Sequence, residues 1–332
     1  MRAVSPPRVV RFWSRLLGVI LLCGVSTEPA RAADNYPSRP IRIIVGFAPG
    51  GNTDVYARLL SAHLQKVLGQ PVVVENKSGA ASILGIQHVA TSKPDGYTLC
   101  FCVSNVATNR FTYRNLPYKP DDLTAVGLVF NSSTALIVPA RSEFDSVGKM
   151  IAYAQTNPGK LSYSTTGAGG ATHLITELFR AETGVSAVAV HYKGAAPATL
   201  AALSGEVDFA MSATATALPH LRTQKIRALS VNTPERLSAL PDVPTIGESG
   251  YPGVASSTWY GVLAPAGTPR EIIVLLNKEI NVFSRTKTIV DKIVSDGDRP
   301  RGDLSPQAFA KYIIDDAEVM RRAIEPLSIR LD

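Results

Sequence analysis

The chain has 332 residues, a formal net charge of +7, 45% apolar residues and only 18% charged ones, the composition of an ordinary globular protein. Its first 32 residues hold five Arg and one Glu, so the remainder is near +3 and carries no nucleic-acid footprint. The one long apolar stretch, Leu16 to Val25, is too short to span a bilayer.

That stretch follows Arg2, Arg8, Arg11 and Arg15 and precedes Ala30-Arg31-Ala32, which puts small residues where a signal peptidase reads. Residues 1–32 therefore read as a signal peptide, cleaved between Ala32 and Ala33, and the mature protein is expected in the periplasm. Leu22 before Cys23 does not fit a lipid-attachment site. The mature length, about 300 residues, suggests two domains.

The chain then alternates strand and helix. "IRIIVGF" (41–47) is a buried strand, residues 53–68 carry apolar positions at helical spacing up to Gly69, and "VVVEN" (72–76) is the next strand. A glycine-bearing loop and a helix to about Ser92 lead to "TLCFCVS" (98–104), where Cys100 and Cys102 read as small core residues. The grammar restarts at "LSYSTTG" (161–167), followed by a helix to Gly184, "AVAVHY" (187–192), another helix, "VDFAMSA" (207–213) and "KIRALSVN" (225–232). Such alternation implies right-handed crossovers and largely parallel sheets. "LVFNSSTALIVPA" (128–140) reads as the connection between the units and "SSTWYGVLAPAGTP" (256–269) as the return, while 270–332 is helical and packs back on the first unit, with Ser305 as an N-cap. The expectation is an α/β chain in two lobes with a cleft between them: residues 33–132 with 257–332, and residues 133–256.

"VGFAPGGNTD" (45–54) has the spacing of a nucleotide P-loop, but Asn52 stands where the phosphate-binding lysine belongs, and an exported protein meets no ATP. Gly50 and Gly51 let successive peptide N–H groups point at one place, and the helix behind adds its positive end. The result is an anion cradle with no charged side chain, in which Asp54 supports the helix and pairs with Arg58. Gly167-Ala-Gly169-Gly170-Ala-Thr172 repeats the arrangement in the second unit without matching a dinucleotide fingerprint, and "ENKSGAASILG" (75–85) adds a third loop. Ligands of open sheets bind beyond the carboxyl ends of the strands, where these loops lie. The sequence holds no G-x-S-x-G elbow, no paired helix-face carboxylates and no His/Cys cluster, so neither an exported hydrolase, a metal nor a cofactor is expected.

"YPSRPIRIIVGFAPGGNTDVYAR", "VVVENKSGAASILG", "NPGKLSYSTTGAGGATHL", "HYKGAAPATLAALSGEVDF", "ALPDVPTIGESGYPG" and "WYGVLAPAGTP" resemble, in order and over the whole mature chain, the Bug family of tripartite tricarboxylate transporter receptors. The resemblance implies a two-lobed (type II) periplasmic-binding-protein-like fold, two parallel-rich sheets with flanking helices, a small organic acid held by N–H groups, hydroxyls and waters, and delivery to a membrane permease. It implies a monomer that performs no catalysis; a sensor handing its closed form to a signalling partner is the alternative. By position, the family's contacts fall on Phe47, Ala48, Pro49, Gly51 and Thr53, on Ser78, Gly79 and Ala80, and on Ser104 and Asn105. In the second lobe they fall on Thr165, Thr166, Gly167, Gly169, Gly170, Ala171, Thr172 and His173, then Lys193 and Gly194. Phe47 either walls the pocket or packs on the sheet, His173 either touches ligand or packs, and Lys193 either steers anions or is an ordinary surface lysine. Departures from the family pattern are Ser78 in place of proline, Ala81-Ser82 in place of Gly/Asn, and Ser212-Ala213 in place of Asp-Asn. The last removes a carboxylate and counts against a ligand that needs an ammonium partner.

Overall fold

The computed structural model describes Met1, residues 36–255, residues 257–325 and Leu331. The signal segment beyond Met1 and its cleavage site lie outside the described residues. The first unit runs β1 (Ile41–Val45), α1 (Asn52–Leu68), β2 (Val72–Asn76), α2 (Ile83–Ala90), β3 (Thr98–Val103) and α3 (Asn105–Thr112). The crossing follows as β4 (Leu123–Ser132) and β5 (Thr134–Pro139), separated by Ser133 alone. The second unit is α4 (Val147–Thr156), β6 (Leu161–Thr165), α5 (Ala171–Thr183), β7 (Ala187–His191), α6 (Ala195–Ser204), β8 (Phe209–Ala213), α7 (Thr214–Arg222) and β9 (Ile226–Val231). The return is β10 (Thr258–Pro265), α8 (Arg270–Arg285), α9 (Lys287–Ser295), β11 (Arg299–Pro300) and α10 (Pro306–Ile324).

Two mixed sheets result, ordered β11-β4-β10-β3-β1-β2 and β7-β6-β8-β5-β9. In each, the βαβ units pair in parallel: β1 with β2 and β3, and β6 with β7 and β8. The chains that arrive from the other lobe run against these strands. Thus β10 is antiparallel to β3 and β4, and β5 to β8 and β9. Right-handed crossover sets the first pattern, and the direction of entry sets the second.

Local chemistry marks the element ends as the sequence predicts. Gly69 and Gly184 adopt left-handed φ of 67° and 73° and close α1 and α5 through N–H bonds to Gln65 and Arg180. The Ser305 hydroxyl accepts the Ala308 N–H at 3.1 Å and caps α10, with Pro306 next in line. β3 is buried along its whole length, and Cys100 and Cys102 are free thiols in its core.

The tail packs on the first sheet from both sides. Ile280 of α8 joins the Phe130 and Val262 face, whereas Phe309 of α10 joins the Leu128 and Trp259 face. Phe309 reaches its seat because β10 offers no side chain there: a Cβ on Gly261 would lie 2.5 Å from Phe309 Cζ. Its ring meets Trp259 edge-on, with centroids 5.3 Å apart. Phe309→Ala should therefore cost about 3–5 kcal/mol, read as a lower urea midpoint; a midpoint like the wild type's would contradict this packing.

Candidate functional site

The floor of the cleft is the hinge itself. Thr258 of the returning chain stands opposite Ser132 of the outgoing one. The intervening Ser133 donates its N–H to Asp298 Oδ1 at 2.9 Å and accepts the Thr214 N–H at 2.9 Å. Both crossing chains thus lie side by side, and their polar residues face a place between the lobes.

The cleft is shut. The Ala48 N–H donates to the Lys193 carbonyl at 2.9 Å, and the Tyr113 hydroxyl donates to the Ala168 carbonyl. Gly167 fits directly against Ala81, where a Cβ would come within 3.1 Å of the Ala81 Cα. Beneath these contacts lies a cavity of about 40 Å³. Fourteen residues line it, and none carries a formal charge.

Three helices begin at this cavity: α1 through Asn52 and Thr53, α5 through Ala171 and Thr172, and α6 through Ala195. Each has glycine at its N-cap, Gly51, Gly170 and Gly194, and none receives a side-chain cap. The first helical bonds run from Val55, Leu174 and Ala198, so the N–H groups of Asn52, Thr53, Ala171, Thr172 and Ala195 precede any intrahelical acceptor. Among the described helices α4 and α10 carry side-chain caps, Ser146 and Ser305, while the others start without one. Peptide donors and the positive ends of three helices therefore converge on one hydroxyl-rich space, an arrangement that favours an anion.

The residues expected at the site take several different places. Phe47, Gly51, Thr53, Thr166, Ala171 and Thr172 line the cavity. Ala48, Lys193, Gly194 and Gly167 form the contact between the lobes, Lys193 through its carbonyl with its side chain exposed. Pro49 and Ala80 are exposed, and Ser78 and Gly79 are half-buried outside the lining. Ser104 is the N-cap of α3, while Asn105 is turned onto the neighbouring loop, donating to the Ala81 carbonyl and to Ser82 Oγ at 2.8 Å.

Much of the second-lobe loop uses its donors internally. Thr172 Oγ1 accepts the Thr166 N–H at 2.9 Å, Thr165 Oγ1 accepts the Gly167 N–H at 3.2 Å, and the Gly167 carbonyl accepts the Gly170 N–H at 3.0 Å. His173 Nδ1 accepts the Gly169 N–H at 2.9 Å, so the ring proton sits on Nε2, 3.8 Å from Glu177 Oε1. Here His173 shapes the loop from behind.

Two acids flank the site. Asp54 folds back onto the Gly50 N–H at 3.1 Å, Arg58 Nε at 3.0 Å and Asn76 Nδ2 at 3.0 Å. Burial pushes its carboxyl up, but these bonds outweigh it and hold the group below the usual range. Asp298 lies behind the floor, and burial pushes it up to about 7 against hydrogen bonds from Ser133, Ser132 and Asn52.

Residues 56–329 match the family described as Tripartite tricarboxylate transporter family receptor. The chain belongs to that receptor family. It is 38% identical to Protein BugT of Bordetella pertussis over 292 residues, 86% of this chain and 90% of BugT. Among solved structures it is similar to an R. palustris protein with adipate, at 34% identity and TM-score 0.86, covering 89% of this chain and 100% of that one. It is also similar to MatC from Rhodopseudomonas palustris with bound malate, at 28% identity and TM-score 0.82, covering 87% and 100%. Among the described residues of this receptor, no helix is long and apolar enough to cross a membrane.

The cavity also draws on residues that sequence reasoning did not nominate: Asn52, Val103, Ser132, Thr134, Ala195, Ala213, Thr258 and Tyr260. Four of these belong to the crossing strands. Their signal was present as hydroxyl residues, Ser132 and Thr134 on one chain and Thr258 on the other, interrupting strands that are otherwise apolar.

Burial, then the neighbouring His191, pulls His173 from its ordinary 6.5 down to about 4. The unfolded chain binds that proton more readily, so this group should cost stability as pH falls from 6.5 toward 4 and have no further effect above 6.5, where both states are neutral. NMR of the ring should show the neutral Nε2–H tautomer persisting to pH 5, and titration near 6.5 would contradict the loop geometry.

Proposed function

We propose that this receptor, exported to the periplasm, captures a small organic carboxylate in the interlobe cavity and presents its closed form to a tripartite tricarboxylate-type membrane permease. One observation carries the reading: three glycine-capped helix N-termini open onto a single cavity lined without formal charge. A carboxylate accepts several N–H bonds at once, and such charge-assisted bonds are stronger than neutral ones. The adipate and malate held by the two R. palustris proteins support the ligand class.

In this reading the amides of Asn52, Thr53, Ala171, Thr172 and Ala195 and the hydroxyls of Thr53 and Thr172 grip the acid. The lobe of residues 33–132 and 257–332 supplies the groups of Asn52 and Thr53, and the lobe of residues 133–256 those of Ala171, Thr172 and Ala195. The acid favours closure because only the closed form lets both sets bond to it. Binding proceeds without turnover, and the closed surface is what the permease reads.

Calorimetry with succinate, malate, adipate and benzoate tests the ligand class; silence from every acid, on receptor stripped of carried-over ligand by unfolding and refolding, would sink it. A sharper check uses Gly51→Asp. Gly51 has extended backbone (φ −80°, ψ 169°), and a Cβ there would stand 3.7 Å from Ala195, so the side chain fits. The new carboxylate should cap α1 and raise stability by a few tenths of a kcal/mol. It should also weaken acid binding by about tenfold or more, because it occupies the donors and repels the anion. Wild-type affinity in that variant would show that the α1 amides hold nothing.

A further inference from the structure

Asp298 is a carboxyl buried between both crossing chains and α1, with 4% of its surface exposed. Its Oδ1 accepts the Ser133 N–H at 2.9 Å, and its Oδ2 faces Asn52 Nδ2 at 3.3 Å. Ser133 is the residue at which the chain passes from one sheet to the other, and Asn52, Ser132 and Tyr260 line the cavity. Asp298 is therefore one side chain removed from the space in which an anion would sit.

The charged groups around it offer no compensation. On α9, Lys292 pairs with Asp296 at 2.8 Å, and Asp296 also accepts the Tyr56 hydroxyl of α1 at 2.8 Å. Arg299 of β11 reaches Glu235 at 3.5 Å, and Arg222 of α7 donates to the Ser295 carbonyl at 3.4 Å. Tyr260 of β10 is itself pushed up by burial and by Asp298. Among the described residues no cation is ion-paired with Asp298.

We propose that Asp298 carries a proton when the cleft closes on a carboxylate, so that this receptor takes up a proton together with its anion. The proposal rests on the carboxylate reading above and deepens it. An ionised Asp298 and a ligand carboxylate would be two like charges in one closed, water-poor space, and the protonated form removes one of them. The neutral acid also changes what Asn52 can do. Ionised Asp298 holds the Asn52 amide N–H₂. Protonated Asp298 donates to Asn52 Oδ1 instead, once that amide turns over, and leaves Nδ2 to donate toward the cavity. Asp298 is thus a positioning residue whose proton converts its neighbour into an anion donor. Burial, with a smaller push from Asp296, already lifts its titration to about 7 before any anion enters.

The sign is fixed by linkage. A proton bound along with the anion makes affinity fall as pH rises, by up to about tenfold per unit above the titration of the free receptor. Succinate, malate, adipate and benzoate, themselves fully ionised above pH 7, isolate the protein's proton. Each is titrated into the receptor between pH 7 and 9 in buffers of different ionisation heat. Proton uptake approaching one per acid bound near pH 8, absent in Asp298→Asn, is the expected result. The Asn variant mimics the neutral acid, so its affinity should stay flat over that range. Acid binding without proton uptake, or the same pH slope in the Asn variant, would overturn the proposal.

A ligand-free arm separates this failure from that of the carboxylate reading. Relative to Asp298→Asn, the wild type should lose thermal stability from pH 5 to 8 as Asp298 is forced to ionise in the fold, the His173 contribution being common to both proteins. Identical profiles would overturn the buried-proton claim even if acids bind. Failure of every acid to bind, with that relative loss observed, would overturn the coupling through the carboxylate reading alone.

Discussion

A helix leaves its first N–H groups without partners, and a protein has to satisfy them with a side chain, water or something it binds. In this receptor that constraint organises the whole centre. Gly51, Gly170 and Gly194 each give a helix its turn and offer no capping oxygen, at three starts that meet in one space. At Gly51, where φ is −80° and a Cβ would meet nothing closer than 3.7 Å, a serine or aspartate would stabilise its helix locally, whereas Gly194 has φ of 136°, a conformation that a side chain strains. In the proposed function, leaving them bare hands the capping role to the acid that enters the cleft, which links binding to closure. No lysine or arginine is needed, and a neutral cradle releases an anion more readily than a fixed cation would.

What the chain reveals on reading follows the same division. Helix faces, left-handed glycine ends and buried strands are local, so β1 to β3, the βαβ repeat in the second unit and the Ser305 cap were legible from periodicity and turn chemistry. The antiparallel entries of β5 and β10 were not, because the pairing partner of a crossing strand depends on where the other lobe lies. The site divides likewise. Phe47, Gly51, Thr53, Thr166, Ala171 and Thr172 sit on their own loop-to-helix junctions and were found there. Ser132, Thr134, Thr258 and Tyr260 reach the cavity only because two distant segments run side by side. His173 and Asn105 were named from the family resemblance, His173 as either a ligand contact or a packed ring, and their side chains bond the neighbouring loops.

The loop after β2 shows what such scaffolding is for. Ala80, Ala81 and Ser82 take left-handed φ values of 45°, 48° and 73°, each unfavourable for a residue with a side chain. The strain amounts to about 1 kcal/mol or more per residue, and something has to oppose it. Asn105 does so from α3 by bonding both Ala81 and Ser82, and the backbone of Gly46 comes so near that a Cβ there would be 2.3 Å from Ser82 Cβ. The consequence is a small, rigid projection on the first lobe, and Ala81 is the atom group that Gly167 of the second lobe meets.

That contact explains why the loop matters although it lines nothing. Gly167 has φ of 136° and no room for a side chain against Ala81, so the lobes can approach fully only at this glycine. The loop therefore sets how far the cleft shuts, and with it the distance between the amides of α1 and those of α5. Among the contacts that join the two sides are the Ala48 to Lys193 bond, Tyr113 on Ala168, Ala81 against Gly167, and Arg222 and Arg299 on the Ser295 carbonyl and Glu235. On the proposed reading, the anion and the charge state of Asp298 beneath it then bias the balance between open and shut.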